Sequence, residues 1–336
     1  MSSRKLARIV LVIVFITLLA VPLIMKRLAS RRERMAGSIG KAAALNRYGF
    51  HLDEVSHASG INFTHQAPTL DHRLDHIMPQ VASMGAAVSV VDFNRDGWAD
   101  LYVTNSGEGS KNALFKNNGD GSFTDVAQAA GVARTYQQAD QRSVTWGATF
   151  GDLNLDGWED LYVGAGYLWT LQVWYGARFA AQPNEVYVNA HDGKFLDLSA
   201  PSGAADPGQS RGVAVADYNR DGRLDLFVVD QNGSPRLYEN VTPYRGDKWL
   251  EVNTVGTVSN RDGCGARIVV SAGRAKLTRE VLCGSASVSS GADKVVHFGL
   301  GHAKKVSLRI TWPSGTSQTY TKLKLNRLVT LKEPKV

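Results

Sequence analysis

One ten-residue stretch is written three times in this chain. It reads Asp92-Phe-Asn94-Arg-Asp96-Gly97-Trp-Ala-Asp100-Leu101, then Asp152-Leu-Asn154-Leu-Asp156-Gly157-Trp-Glu-Asp160-Leu161, then Asp217-Tyr-Asn219-Arg-Asp221-Gly222-Arg-Leu-Asp225-Leu226. Oxygen-bearing side chains at relative positions 1, 3, 5 and 9, with a glycine at position 6 that permits a sharp turn, are what one short loop needs to wrap a hard cation. Calcium suits such an all-oxygen set, so the sequence predicts about three calcium sites. Their ligands are Asp92, Asn94, Asp96 and Asp100; Asp152, Asn154, Asp156 and Asp160; and Asp217, Asn219, Asp221 and Asp225. An EF-hand begins in the same way, but it requires a bidentate Glu at position 12 and a helix on each side. Position 12 here is Val103, Val163 and Val228, and the flanks are short β-type runs such as Ala87–Val91 and Leu101–Thr104. Each loop should therefore close a β-hairpin.

A second hairpin follows the first two loops. Leu114–Val126 and Val186–Leu198 each place an Asn/Asp-Gly turn between apolar strands, which fixes a hairpin by its turn chemistry. The third unit has only the beginning of its second hairpin, Arg236–Val241. Two hairpins per unit make a four-stranded blade, and loop-to-loop spacings of 60 and 65 residues are those of propeller blades with insertions.

Charge divides the chain further. Residues 1–35 hold eight Lys/Arg against Glu33, which accounts for the whole net charge of +7. Residues 36–244 carry 14 basic and 24 acidic side chains, whereas 245–336 carry 16 and 6. The composition thus breaks near Tyr244-Arg245-Gly246, and the basic C-terminal domain could meet acidic glycans or the acidic repeats themselves. Nucleic acid is not expected as a partner, because Lys304-Lys305 and Lys322-x-Lys324 are sparse and not interleaved with aromatics on one surface. The two cysteines, Cys264 and Cys283, lie in the basic domain without a CxxC or zinc spacing, which leaves two buried thiols or one disulfide. An exported domain would favour the bridge.

At the N-terminus, Ile9–Met25 is a charge-free run of 17 residues with basic flanks and no persuasive cleavage site. It predicts an uncleaved membrane-spanning anchor at the lower limit of length. The positive-inside rule, read on Lys26–Arg34, would keep the large domain in the cytoplasm, but weak oxygen-only calcium sites suit the millimolar calcium outside cells. The export reading is preferred, periplasmic or at the cell surface.

Five of the eight histidines fall within residues 48–80. Asp71-His72 and Asp75-His76 would share adjoining helix faces and could hold a transition metal, but the stretch lacks a helical period and reads better as a solvated polar loop. Within the same region, Asp53-Glu-Val55 followed by Gly60-Ile61 echoes Asp125-Val126 followed by Gly131-Val132, so it is expected to supply a strand or partial blade that closes the ring. The aromatic insertion Tyr167–Phe179 reads as blade packing ahead of a ligand platform. No nucleophile elbow, P-loop, Rossmann fingerprint or His-Glu-x-x-His is present, and the carboxylates are spaced for a loop-bound cation, not for paired acid/base work.

The three Asp-x-Asn-x-Asp-Gly-x-x-Asp-Leu loops resemble the FG-GAP/VCBS repeats of integrin-type propellers. The C-terminal region resembles the ASPIC/UnbV domain of cartilage-acidic-protein-like proteins, through Asn260–Arg267, Arg279-Glu280-Val281, His297–Gly301, Trp312-Pro313-Ser314-Gly315 and Asn326. Together these cover residues 80–336. Such propellers usually have about seven blades and closed ones rarely fewer than about four, whereas three are legible here, and the cysteine pair is not a family hallmark.

The expectation is an all-β chain with an incomplete β-propeller and a small C-terminal β domain, preceded by one transmembrane helix. Its parts are an anchor over 1–35, a linker and blade-closing segment over 36–82, calcium-loop repeats over 83–244 and the ASPIC/UnbV-like domain over 245–336. The expected role is non-enzymatic: a calcium-binding, membrane-anchored protein presenting a propeller surface to a protein or glycan. An enzyme or enzyme accessory using the propeller's central face, with the His51–His76 region, is the alternative.

Overall fold

The computed structural model describes residues 42, 45, 46, 49–67, 72–77, 86–107, 110–133, 144–166, 182–231, 233–284 and 291–335. Residues 56–336 form one compact unit and residues 1–55 another. The apolar run Ile9–Met25, Asp71 and the whole aromatic insertion Tyr167–Phe179 lie outside the described residues. Among the described residues no helix is long and apolar enough to cross a membrane.

The chain is all-β and propeller-like, with five small sheets. The first blade is β1 (Val88–Val91), β2 (Asp100–Val103), β3 (Ala113–Asn117) and β4 (Phe123–Asp125) in that order, followed by one helical turn, α1 (Ala127–Ala130). The second repeats it with β5 (Thr145–Gly151), β6 (Asp160–Ala165), β7 (Glu185–Asn189), β8 (Phe195–Asp197) and α2 (Ser199–Ser202). Period-2 alternation sets the faces: β1 exposes Val88 and Val90 and buries Ser89 and Val91. The third blade has only β9 (Ser210–Ala216), β10 (Asp225–Asp230) and β11 (Arg236–Tyr238) from the repeat region.

Beyond Tyr244 the chain changes sheets, as the break in charge suggested. The C-terminal region contributes β12 (Lys248–Val255), β13 (Arg267–Ala272), β14 (Ala275–Glu280), β15 (Gly291–Ala292), β16 (Val296–Gly301), β17 (Val306–Thr311), β18 (Ser317–Tyr320) and β19 (Leu328–Lys332). Two sheets result, ordered β16-β12-β19 and β14-β13-β17-β18. They enclose one core that includes Leu250, Ile268, Phe298, Leu308, Ile310 and Trp312. Strand β15 leaves that domain and pairs in parallel with β9, on the side of β9 away from β10.

Two further cores lie between blades. Phe93, Tyr102, Leu114, Leu161, Tyr187 and Phe195 join blades 1 and 2. Tyr162, Val186, Val213, Leu224, Leu226 and Val228 join blades 2 and 3. Burying one such large apolar side chain contributes about 1.5–3 kcal/mol, so each blade is held chiefly by its neighbour.

Residues 48–80 differ from expectation. Among their described residues there is no strand; Ser59 accepts a hydrogen bond from Phe123 N–H (2.7 Å), and the Phe63 ring lies edge-on to Phe115 at 6.3 Å. His72–Ile77 is a single 3₁₀ stretch, not a loop, with His72, Asp75 and His76 exposed. Its three-residue turn does not align positions four apart, so it does not gather the paired imidazoles that an α-helix would.

Candidate functional site

The three repeated loops share one backbone. Position 4 is left-handed in each (Arg95 φ 59°, Leu155 φ 65°, Arg220 φ 59°), and so is the glycine at position 6 (φ 91°, 86° and 90°). A left-handed non-glycine is uncommon, so its recurrence marks one specified turn. The side chains lock that turn. Asp92, Asp152 and Asp217 accept from the glycine N–H at position 6 (3.1, 2.6 and 2.6 Å). Asn94, Asn154 and Asn219 each accept from the N–H at position 5 at 3.1 Å. Asp96, Asp156 and Asp221 accept from the N–H at position 7 (2.9, 2.8 and 2.9 Å).

The carboxylate at position 9 has a different task. Both oxygens of Asp100, Asp160 and Asp225 accept backbone hydrogen bonds. One takes the N–H at position 2 (Phe93, Leu153, Tyr218; 3.2, 3.0 and 3.2 Å), and the other takes Asn117, Asn189 or Asn240 in the third strand or just after it (2.7, 2.9 and 2.8 Å). These carboxylates are buried, and they tie the loop to its own blade. The same asparagines clip blades together: Asn189 donates to Phe93 O of blade 1 (3.0 Å) and Asn240 to Leu153 O of blade 2 (2.7 Å).

Burial dominates the electrostatics. It pushes Asp92 up to about 6, with Asp96 adding to the effect, and Asp100 up to about 7. Asp152 and Asp160 are held well above the usual carboxylate range, first by burial; neighbouring carboxylates add to the effect, and for Asp160 the Asn189 N–H opposes it. Asp217 and Asp225 are raised for the same first reason. Clustered, buried carboxylates that resist ionisation are a demand for positive charge.

The donor set tests well for a hard cation. It consists of carboxylate and amide oxygens, and Asp92 Oδ1 is buried without a hydrogen-bond partner. Among the described residues, however, no three carboxylate, imidazole or thiolate groups are gathered as a ready cage. The position-9 oxygens are held by backbone amides, Asp156 pairs with His191 (2.8 Å), and Asp221 pairs with Arg223. A cation here would be held by positions 1, 3 and 5, with position 9 sharing oxygens that already accept N–H groups.

The basic domain sits on all three loops. Arg267 donates to Gly97 O (2.7 Å) at the first, and Gly301 N–H donates to Leu155 O (2.9 Å) at the second. His297 Nε2 meets Gly222 O (2.9 Å) at the third, where the Trp249 ring lies so close to Gly222 that no Cβ could be accommodated. Arg279 forms an ion pair with buried Glu159 and lowers the burden on Asp152. Glu251 brings a further carboxylate beside Asp217 and is pushed up to about 7, first by burial and then by that neighbour. Glu159, Arg279, Glu251 and His297 were not read as site residues from sequence. The available signals were the charge asymmetry between the two regions and, for Arg279 and His297, their place in the motifs that carry the family resemblance. Cys264 and Cys283 are bridged, with Cα atoms 5.6 Å apart.

These features define the class. Residues 82–163 and 173–228 match the FG-GAP-like repeat family, and residues 256–336 match the ASPIC and UnbV family. The chain thus carries FG-GAP-like repeats followed by an ASPIC and UnbV domain. Among characterised proteins it is similar to cartilage acidic protein 1. It is 24% identical to the Xenopus tropicalis protein over 282 residues (69% of this chain, 42% of that protein) and 24% identical to the Mus musculus protein over 294 residues (69% and 42%). Against the human protein it is 42% identical over 81 residues, 24% of this chain and 11% of that protein. The chain thus spans less than half the length of these relatives.

Proposed function

We propose that this protein is a non-enzymatic, calcium-binding scaffold that presents its propeller surface to a protein or glycan outside the cytoplasm. The observation that carries the reading is the threefold repetition of one left-handed turn whose carboxylates are raised in pKa, first by burial. A bound calcium supplies the charge that lets those carboxylates ionise inside the fold. The chain's own groups do the rest: positions 1, 3 and 5 aim oxygens into the turn, position 9 fixes it to the blade, and the basic domain closes over it.

Export is supported by the Cys264–Cys283 bridge, which persists in oxidising compartments. The membrane anchor rests on the apolar run Ile9–Met25 and its basic flanks. Carbonate washing should leave the full-length protein in membranes, and protease added to intact cells should remove its large domain. Protection of that domain until the membrane is broken would overturn the exported reading. A glycan array beside a broad hydrolase and oxidoreductase screen separates binding from turnover. Turnover that disappears in His72→Ala or His76→Ala would defeat the binding-only reading.

A further inference from the structure

Blade 3 lacks the strand that finishes blades 1 and 2. In blade 1, β4 pairs with β3, matching Phe123 to Asn117 and Asp125 to Phe115; in blade 2, β8 pairs with β7, matching Phe195 to Asn189 and Asp197 to Tyr187. In blade 3, β11 pairs with β10 alone among the described residues, and the chain leaves for the C-terminal domain. Among the described residues its outer edge has no strand beside it, and such an edge is a template for another strand.

A cavity marks the missing side chain. Phe195 of β8 packs in one core with Phe93, Leu114, Leu161 and Tyr187. The repeat equivalents of those four residues are Leu153, Val186, Leu226 and Tyr238, and they line an open cavity of about 490 Å³ together with Leu224 and Val241. Among the described residues, the place that Phe195 fills between blades 1 and 2 has no occupant between blades 2 and 3.

The chain carries one lone copy of the missing pattern. Leu52-Asp53-Glu54-Val55 followed by Gly60-Ile61 falls residue for residue on Phe123-Thr124-Asp125-Val126 followed by Gly131-Val132. The later half of this segment is placed accordingly. Gly60 (φ 83°) lies against Phe123 O of blade 1 as Gly131 (φ 80°) lies against Phe195 O of blade 2. By sequence, residues 52–61 carry the tail pattern of a blade, and among the described residues blade 3 has no tail.

The end faces agree. On blade 1, Val88 and Val90 are 43% and 51% exposed, whereas their equivalents in blade 2, Ala148 and Phe150, are packed in the core between blades 1 and 2. On blade 3, Phe227 and Leu237 are 43% and 49% exposed, whereas their equivalents Tyr162 and Val186 are covered by blade 3 itself. Inside the array, Tyr102 meets Phe150 at 6.0 Å between ring centroids; the same contact across two molecules would join Phe227 to Val90. Asn117, whose counterparts clip to the preceding blade, is likewise positioned to reach Tyr218 O of another copy.

We propose that a second copy of this chain completes blade 3, adding its Leu52–Val55 as the fourth strand beside β11 and seating its blade 1 on the exposed face of blade 3. Strand addition supplies the backbone pairing, and Leu52 fills the cavity. The contact is heterologous, so it closes only if the rotation returns to the start. Two copies would bring six blades, within the range of about four to eight found in closed rings.

The register predicts a test. By the pairing of β7 with β8, Asp53 of one copy lies opposite Glu239 of the other. The described cysteines are all disulfide-bonded, so the full-length double variant Asp53→Cys/Glu239→Cys, oxidised in detergent, should run at twice 36.4 kDa and return to monomer on reduction. Either single variant should not form that species to a comparable extent. Adding Val90→Arg, an exposed substitution that leaves the fold intact, should reduce the cross-linked fraction at least tenfold. Thiols that stay free, thiols consumed without a doubling of mass, or cross-linking indifferent to Val90→Arg would each overturn the proposal.

Discussion

Asp160→Ala and Asp156→Ala, four residues apart in one loop, should fail for different reasons. Asp160 is buried and accepts from Leu153 N–H (3.0 Å) and Asn189 N–H (2.9 Å). Removing its carboxylate strands two buried donors at about 1–3 kcal/mol each, a total of about 2–6 kcal/mol. That is a large share of the roughly 5–15 kcal/mol that holds a domain of ordinary stability. Asp156 is partly exposed, and its metal-free partners are Trp158 N–H and the His191 imidazole. An exposed pair of that kind contributes about 0–1 kcal/mol. Urea denaturation in chelator should therefore show Asp160→Ala strongly destabilised and Asp156→Ala near wild type. In excess calcium Asp156→Ala is no longer near wild type. Asp156→Ala loses one ion's stabilisation, about 2.7 kcal/mol for a site saturated at about 100 times its dissociation constant. Equal losses for the two variants in chelator would refute the assignment of position 9 to the fold and position 5 to the ion.

Other expectations follow from the same geometry. Folded-state pKa values near 6 and 7 for Asp92 and Asp100, above the ordinary value near 4 of an unfolded chain, mean that the metal-free fold binds extra protons. Its stability should fall as pH rises from about 4 through about 7, and calcium should remove that decline; a metal-free melting temperature that rises over this window would contradict it. Arg279→Ala should cost about 3–5 kcal/mol by leaving Glu159 as a buried charge without its partner, measured by urea denaturation, whereas the exposed Arg309→Ala should change little. Breaking the bridge with Cys264→Ser should cost about 3 kcal/mol in the chain-entropy account of a loop of 19 residues. Mass spectrometry of native protein without reduction should find no alkylated thiol at either cysteine.

The loops and hairpins were legible because they are local. Oxygen at positions 1, 3, 5 and 9, glycine at 6 and Asn/Asp-Gly turns between apolar runs specify a turn within about ten residues, and the strands fall where these signals put them. What could not be read depends on partners distant in sequence. Asn189 looks like a turn residue and serves as a clip to Phe93 O of the preceding blade. Position 9 looks like a ligand and is also the anchor of the third strand. Strand β15, two residues long, has no periodicity to announce that it pairs with β9. The docking of the basic domain was foreshadowed by opposite charge, but charge does not say that Arg267, Gly301 and His297 each meet a different loop. The 3₁₀ stretch at His72–Ile77 escaped because six residues carry no sustained helical period.

The central claim is that these loops hold calcium and that the fold depends on it. Calorimetric titration of chelator-treated protein with calcium tests it directly, with thermal melting before and after. The account predicts saturable uptake at about three sites and a marked rise in melting temperature. Magnesium should reproduce that rise poorly, because it gives up its water reluctantly and demands a stricter geometry. Absence of calcium uptake, together with a melting curve indifferent to chelator, would contradict the claim and leave the three loops as turns held by their own hydrogen bonds.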